Sequence, residues 1–493
     1  MPHHPAVTSA PAARTARPRR LARQAVGAVV CGLLLASCAG SGVRGTPGAA
    51  GLRDPYFRLL GNGGYDVTHY ALDLSYDPEE HHLTGEAVIT AKATQDLSAF
   101  NLDLAGLDVE SVSVGDKPAR FNRAADELTI RPDDELPEGR TFTTRVAYSG
   151  APETITDEDG SEEGWLPTDE GALALGEPAG SKAWFPGNHH PSDKAAYDIE
   201  ITVPEGLTAV SNGELTSTKT AAGRTAFTWH SAEPMASYLA TVAIGPYETK
   251  TYKTKTYKTK THETKSSATE KDLPVLTAVD PAEAEQSADV LERLPEILTW
   301  SEEYFGPYPF SSTGAIVAPE GSAGYALETQ TRPVFPGAPD TELMVHELAH
   351  QWYGNSVTPK TWQDMWLNEG FATYAEWLWA EDHDGDTAQE TFDDAYAAPA
   401  DDELWAFPPA EPTDASVISA DPVYTRGAMV LHKLRETVGD DTFFALIKDW
   451  AAEHRHGNAD TEDFTAFAEQ QAGEDLDTVW GPWLYGDGKP KSP

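Results

Sequence analysis

Cysteine is nearly absent from this chain. Its 493 residues include two, Cys31 and Cys38, and none follows. No disulfide can staple the body, whose stability must come from packing. Basic residues are scarce as well: 36 Lys and Arg stand against 79 Asp and Glu, a formal net charge of -43. A surface that neutralises phosphates needs the opposite balance, so nucleic acid is excluded as a principal partner. Such an acidic surface keeps a protein soluble and attracts cationic partners. Long apolar runs are missing too, and the run at 25–35 is too short to cross a bilayer as a helix of about 20 residues.

What is present supports a large globular protein. The 40 % of hydrophobic and 10 % of aromatic residues suffice for a sizeable core. The length accommodates two to four domains of roughly 100–200 residues.

The N-terminus reads as a targeting segment. Arg14, Arg17, Arg19, Arg20 and Arg23 precede the short apolar run, with no acidic residue among them. The run closes on Leu35-Ala36-Ser37-Cys38, which resembles a bacterial lipobox. Residues 1–38 are therefore expected to be a lipoprotein signal peptide. Export would follow, with a membrane anchor through lipidated Cys38 on the extracytoplasmic face of the cell envelope. Residues 39–55, rich in Gly and Ala, read as a flexible tether.

Residues 56–247 have period two. Tyr70, Leu72, Leu74 and Tyr76 alternate with polar or small neighbours, and residues 197–203 repeat the pattern. Turn signals such as Asn212-Gly213 punctuate it, predicting an all-β saddle or sandwich. Residues 248–270 hold a repeat, Thr-Tyr-Lys-Thr-Lys at 251–255 and again at 256–260, expected as a protruding hairpin or an insertion. From there to 493 the periodicity turns helical, with helices predicted at 282–305, 342–353, 368–381, 424–438 and 461–472. A short strand is predicted near 315–319. The fold class expected is α+β and multidomain: an N-terminal all-β domain followed by a mostly helical domain at 271–493.

The chemistry lies in His346-Glu347-Leu348-Ala349-His350. On a helix, positions i and i+4 project both imidazoles from one face, where they can reach a single zinc ion. Glu347 then lies beside the metal, placed to take a proton from water. A catalytic zinc usually has three protein ligands. Glu369, eighteen residues past His350 at the start of another apolar stretch, supplies the third. Glu376, two turns further on, and Asp364 are candidates for hydrogen-bonding a ligand histidine. Trp352, Trp362, Trp366, Trp377 and Trp379 read as packing residues.

His346–Asn355 (HELAHQWYGN) and Trp366–Ala372 (WLNEGFA) resemble the aminopeptidase N family of zinc metallopeptidases. That resemblance implies that the helical domain at 271–493 is a thermolysin-like catalytic domain, with one zinc per chain and peptide substrates with a free N-terminus. It implies that Glu347 is the general base and that Tyr424, in a matching local sequence, stabilises the oxyanion. Tyr325-Ala326-Leu327-Glu328-Thr329 stands where the family carries GxMEN, so Glu328 is expected to bind the substrate's α-amine. Tyr325, Leu327 and Thr329 depart from that pattern. Glu177 matches a second amine-binding acid, while Leu175 replaces the glutamine often found two residues earlier. The sequence ends soon after this region, so a more open site than in longer family members is expected. The competing readings are a gluzincin endopeptidase, a related epoxide hydrolase, and a catalytically silent binding module of the same fold.

Overall fold

The computed structural model describes residues 44–257 and 270–493. The expected leader at 1–38, residues 39–43 of the expected tether and most of the second repeat copy lie outside the described residues. The rest of the expected tether is folded rather than free: Thr46–Pro47 pairs parallel with Leu97 and Ala99, and buried Asp54 accepts from the Trp362 amide at 3.0 Å.

Period-two alternation produces the expected strands. In Tyr65–Asp77 the residues Tyr70, Leu72, Leu74 and Tyr76 are buried, while Asp66, Thr68 and Asp73 face solvent. This strand pairs antiparallel with His82–Ala93 and parallel with Lys194–Pro204, Leu72 lying opposite Ile199. They form the centre of an eight-stranded sheet. A five-stranded sheet, including Glu162–Pro167, Ala172–Leu175 and Val242–Gly245, supplies the second layer. Tyr76 of the large sheet meets Trp165 of the smaller at 4.9 Å, edge to face, and the core of the β half lies between them.

The following sheet is mixed. Glu248–Tyr257 pairs antiparallel with Glu270–Val279, which pairs parallel with Thr313–Ala318, and Val334–Pro336 closes the order. The first repeat copy therefore lies in the edge strand of this sheet. Tyr252 is half-buried and Thr256 is buried, its hydroxyl bonded to the Glu302 carboxylate.

The helical half contains α1 (Ala284–Phe305), α2 (Thr341–Ala349), α3 (Trp366–Asp382), α4 (Ala388–Tyr396), α5 (Gly427–Val438), α6 (Asp440–Glu453) and α7 (Thr461–Ala472). Two of these, α4 and α6, go beyond the helices predicted from sequence. The helix predicted at 342–353 ends earlier, at Ala349, where the bonding tightens to turns: the Gln351 amide reaches the Leu348 carbonyl at 3.2 Å and the Trp352 amide the Ala349 carbonyl at 3.0 Å. The five tryptophans named above are all buried, as packing residues.

One contact sets the helical geometry. A Cβ on Gly370 would meet the backbone of Gly427 at 2.9 to 3.0 Å, so α3 and the start of α5 cross with their backbones nearly touching. That approach brings Glu369 of α3 beside the turn that carries Tyr424.

Candidate active site

Helix α2 starts on Asp340, whose carboxylate accepts from the Leu343 amide at 2.9 Å. It then buries Met344 to Ala349 without interruption. Polar His346 and Glu347 are thus carried into the interior by an apolar helix. His350 follows with helical backbone angles, so the i, i+4 relation holds across the end of the helix.

The three predicted ligands converge. Nε2 of His346 lies 3.2 Å, and Nε2 of His350 3.4 Å, from the same Oε2 of Glu369. A tetrahedral zinc with ligands at about 2.0–2.2 Å separates neighbouring donors by about 3.3–3.6 Å, so these spacings match the edges around one ion. The other ring nitrogens have fixed partners. Nδ1 of His346 donates to Glu376 at 2.5 Å, and Nδ1 of His350 donates to the Tyr353 carbonyl at 3.1 Å. Each bond leaves Nε2 as the free lone pair aimed at the common point. Donor types, spacing and tautomers fit a single catalytic zinc.

Asp364, the other candidate for supporting a histidine, does something else. It accepts from the Thr461 amide and hydroxyl at 3.0 and 2.9 Å and from the Thr361 hydroxyl at 2.9 Å. It precedes α3, so it lacks the helical face that brings Glu376 to His346, and it binds the start of α7 instead.

A cavity of about 490 Å³ opens over this set, and Glu177, Glu328, Glu347 and Tyr424 face it with the ligands. Glu328 is 2 % exposed and Glu347 4 %. Oε1 of Glu328, Oε2 of Glu347 and Oε1 of half-buried Glu177 have no hydrogen-bond partner in the protein. Burial pushes Glu347 up to about 8, with His346 and His350 pulling against it and Glu328 and Glu369 adding to it. Glu177 is driven well above the usual carboxylate range by burial first, then by Glu328 and Glu369. Burial acts on Glu369 in the same sense, but the two imidazoles outweigh it and hold the group at about 2. Several carboxylates crowded into one buried cavity therefore call for a cation.

Tyr424 sits in a π turn, Pro422–Arg426, at the head of α5. Fully buried Arg426 fixes that turn by donating to the carbonyls of Trp483 at 3.0 Å and Phe407 at 3.1 Å. The Tyr424 ring lies parallel to the His346 imidazole, 6.1 Å away at 11°. Leu175, which departs from the family pattern, is completely buried in its strand. Tyr325 uses its departure: its hydroxyl donates to the Glu177 carbonyl at 3.2 Å and joins the two loops that carry the amine-binding candidates.

Other residues around the site went unassigned in the sequence, Gln351, Asn355 and Ser161 among them. Gln351 and Asn355, inside the quoted HELAHQWYGN run, send side-chain amides to the Glu328 carbonyl at 3.1 and 2.6 Å. Ser161, in the hairpin between Thr154–Thr156 and Glu162–Pro167, lines the cavity rim. The first two were marked only by membership of the motif, and the third by nothing local.

Comparison with known proteins agrees with this geometry. A Peptidase M1 N-terminal domain matches residues 66–239, and a Peptidase family M1 domain matches residues 338–483. Aminopeptidase M1-A of Oryza sativa subsp. japonica is 26 % identical over 465 residues, 85 % of this chain and 50 % of the relative. Aminopeptidase N of Streptomyces lividans is 28 % identical over 334 residues, 61 % of this chain and 36 % of the relative. The chain spans about half the length, or less, of the curated relatives it matches most strongly. The crystal structure of an M1 zinc metallopeptidase from Deinococcus radiodurans superposes with a TM-score of 0.79 at 29 % identity, covering 90 % of this chain and 98 % of that one. An E323A mutant of the Deinococcus enzyme, bound to a Tyr-Ser-Ala substrate, gives 0.77 at 28 %, with the same two coverages. With both domains matched in order and the His-His-Glu centre between α2 and α3 assembled, the chain belongs to the M1 family of peptidases.

Proposed function

We propose that this protein is a zinc aminopeptidase that removes the first residue from peptides. The observation that carries this reading is buried Glu328 beside the metal set, with Oε1 unpartnered, and Glu177, which lines the same cavity with an unpartnered Oε1 of its own. A substrate's α-ammonium supplies the positive charge such a cavity lacks, and an internal residue of a chain supplies none. The tripeptide bound by the Deinococcus relative supports peptides as the substrate class.

His346, His350 and Glu369 would hold the zinc, which supplies Lewis acidity at the scissile carbonyl and lowers the pKa of the attacking water. Glu328 and Glu177 bind the ammonium and so place the first peptide bond over the metal set. Glu347 takes a proton from the water as its oxygen bonds to the carbonyl carbon. The Tyr424 hydroxyl donates to the developing oxyanion. Glu347 then passes its proton to the leaving nitrogen as the C–N bond breaks, and the free amino acid and the shortened peptide depart. Glu376 keeps His346 in the tautomer the ion requires.

Hydrolysis of alanyl- and leucyl-p-nitroanilide beside their N-acetylated forms tests this, with zinc assayed on the same sample. Cleavage of the free-amine substrates alone, lost in Glu347→Ala, supports the proposal. Equal cleavage of the blocked forms would make the protein an endopeptidase.

We also infer from the leader sequence that the protein is exported and lipid-anchored through Cys38. Labelling with a radioactive fatty acid in a bacterial host, lost in Cys38→Ala, is the expected result, and an unlabelled protein would refute it.

A further inference from the structure

The carboxylate of Glu328 faces the cavity, but its backbone is held from behind. Its carbonyl oxygen accepts two side-chain amides, from Asn355 Nδ2 at 2.6 Å and from Gln351 Nε2 at 3.1 Å. Both donors are completely buried. Both belong to the segment that leaves α2 directly after the second metal ligand, and Gln351 is the neighbour of His350. The other end of the Gln351 amide is occupied as well: its Oε1 accepts from the Thr331 amide at 2.8 Å, three residues beyond Glu328.

The donors are themselves immobilised. The Asn355 amide bonds back to the His350 carbonyl at 2.9 Å. The ammonium of Lys194, arriving from the β half, donates to the carbonyls of Asn355 at 2.9 Å, Ser356 at 3.0 Å and Gly457 at 3.2 Å. On the far side of the Glu328 loop, Asn212 donates to the Gln330 carbonyl at 2.9 Å, and the Thr331 hydroxyl accepts from the Gly213 amide at 2.9 Å. The loop that carries Glu328 is thus referenced to the segment after the metal helix by two amides and to the β half by the bonds from Asn212 and Gly213, with the Gln330 amide adding one to the Leu239 carbonyl at 3.2 Å.

We propose that Gln351 and Asn355 are positioning residues that set the distance from the ammonium-binding carboxylate to the metal centre, and thereby the one-residue step of the enzyme. The inference rests on the aminopeptidase reading. Its physical basis is that a carboxylate can pair with an ammonium while the adjacent carbonyl sits over the metal only at one separation. A displacement of about 1 Å costs on the order of a hundredfold in rate. Neither amide touches substrate, and neither is a metal ligand. Their loss releases the Glu328 backbone while leaving His346, His350 and Glu369 in place.

Two hydroxamates separate this role from general support of the fold. Leucine hydroxamate carries the α-amine, and 4-methylpentanohydroxamate is the same molecule without it; both bind zinc through the hydroxamate. In the zinc-loaded wild type the amine-bearing ligand binds more tightly, and that ratio reads the ammonium contact alone. In Asn355→Leu and in Gln351→Met the ratio is expected to fall by about tenfold or more, while zinc content and affinity for the amine-free ligand stay within about threefold of wild type. A ratio that holds in both variants overturns the proposal, as does an equal loss of affinity for both ligands, which would mark a structural role. Glu328→Gln serves as the reference. If it leaves the ratio unchanged, the ammonium reading itself is wrong, and that failure is distinct from one confined to the two amides. Where Asn355→Leu does not fold, Gln351→Glu, which keeps the acceptor for Thr331 and removes the donor, is expected to show the same fall.

Discussion

The Nδ1 of His346 donates to the carboxylate of Glu376 at 2.5 Å, seven residues along α3 from Glu369, which faces the other nitrogen of the same ring. One helix therefore supplies both the third ligand and the partner that orients the first. Two turns of helix span that interval and return to the same face. Glu376→Gln keeps the shape and weakens the partner. It is expected to lower zinc affinity by about 10–100-fold, read by competition with a chelator, and to change thermal stability of the zinc-saturated enzyme little.

In the proposed mechanism Tyr424 and Glu347 divide the chemical step between them, and neither belongs to the ligand set. Tyr424→Phe should lower kcat by about 10²–10³-fold with KM nearly constant, because the hydroxyl acts only on the transition state. Glu347→Gln should lower kcat by about 10²–10⁴-fold at full zinc occupancy. Steady-state kinetics on a free-amine anilide, with metal analysis, checks both. A Tyr424→Phe enzyme with wild-type kcat would remove the tyrosine from the mechanism.

Gly370 gives a prediction in which two effects oppose each other. Replacing an interior helical glycine by alanine favours the helix by about 1 kcal/mol. A Cβ there, however, would lie 2.9 to 3.0 Å from the Gly427 backbone, which cannot yield as a side-chain tip can. Overpacking of this kind costs about 1–3 kcal/mol, so Gly370→Ala is expected to lower Tm in spite of its better propensity. Differential scanning calorimetry gives the sign directly.

Asp193 couples the β half to pH. Its Oδ2 accepts from the Val67 amide at 3.2 Å and from Asn188 at 2.5 Å, and burial pushes its carboxyl up to about 8. The folded protein therefore keeps a proton there that the unfolded chain has released above about pH 4. The stabilising contribution is complete below the unfolded value and falls as pH rises to about 8, by up to about 1.4 kcal/mol per unit. Asp193→Asn fixes the neutral form. Its stability relative to wild type should grow with pH and level off above about 8, measured by urea unfolding at several pH values. A difference independent of pH would refute the assignment.

Much of this was legible because it is local. The i, i+4 histidines need only a helix, and the helix announces itself by its apolar run; Glu369 follows at a spacing a helix–loop–helix imposes. The strands declared themselves through alternation at Tyr70 to Tyr76. Helix α4 carries a stripe at Ala388, Phe392, Ala395 and Tyr396, and its start is marked by Thr387 and Glu390, which form a capping box. Helix α6 likewise carries a regular stripe at Phe443, Leu446, Ile447 and Trp450, so both helices were there to be read. Between Glu376 and Asp364 the sequence offered no choice, because the choice was made by Thr461, about a hundred residues away, which captures Asp364. Gln351 and Asn355 act on a backbone carbonyl, which every residue has, so no residue type at position 328 could have pointed to them.

The edge strand Glu248–Tyr257 has a further consequence. Its five-residue unit continues beyond it, since Thr249-Lys250-Thr251-Tyr252-Lys253 recurs as Thr254-Lys255-Thr256-Tyr257-Lys258 and recurs closely after that. Register in a sheet is normally pinned because a shift changes which side chains meet the core. Here a shift by one unit puts threonine on threonine and tyrosine on tyrosine. Excising residues 253–257 would leave the same residue types from 248 to 256 and replace Tyr257 by histidine. Loss of one unit would therefore leave every residue type of this edge strand unchanged except the last.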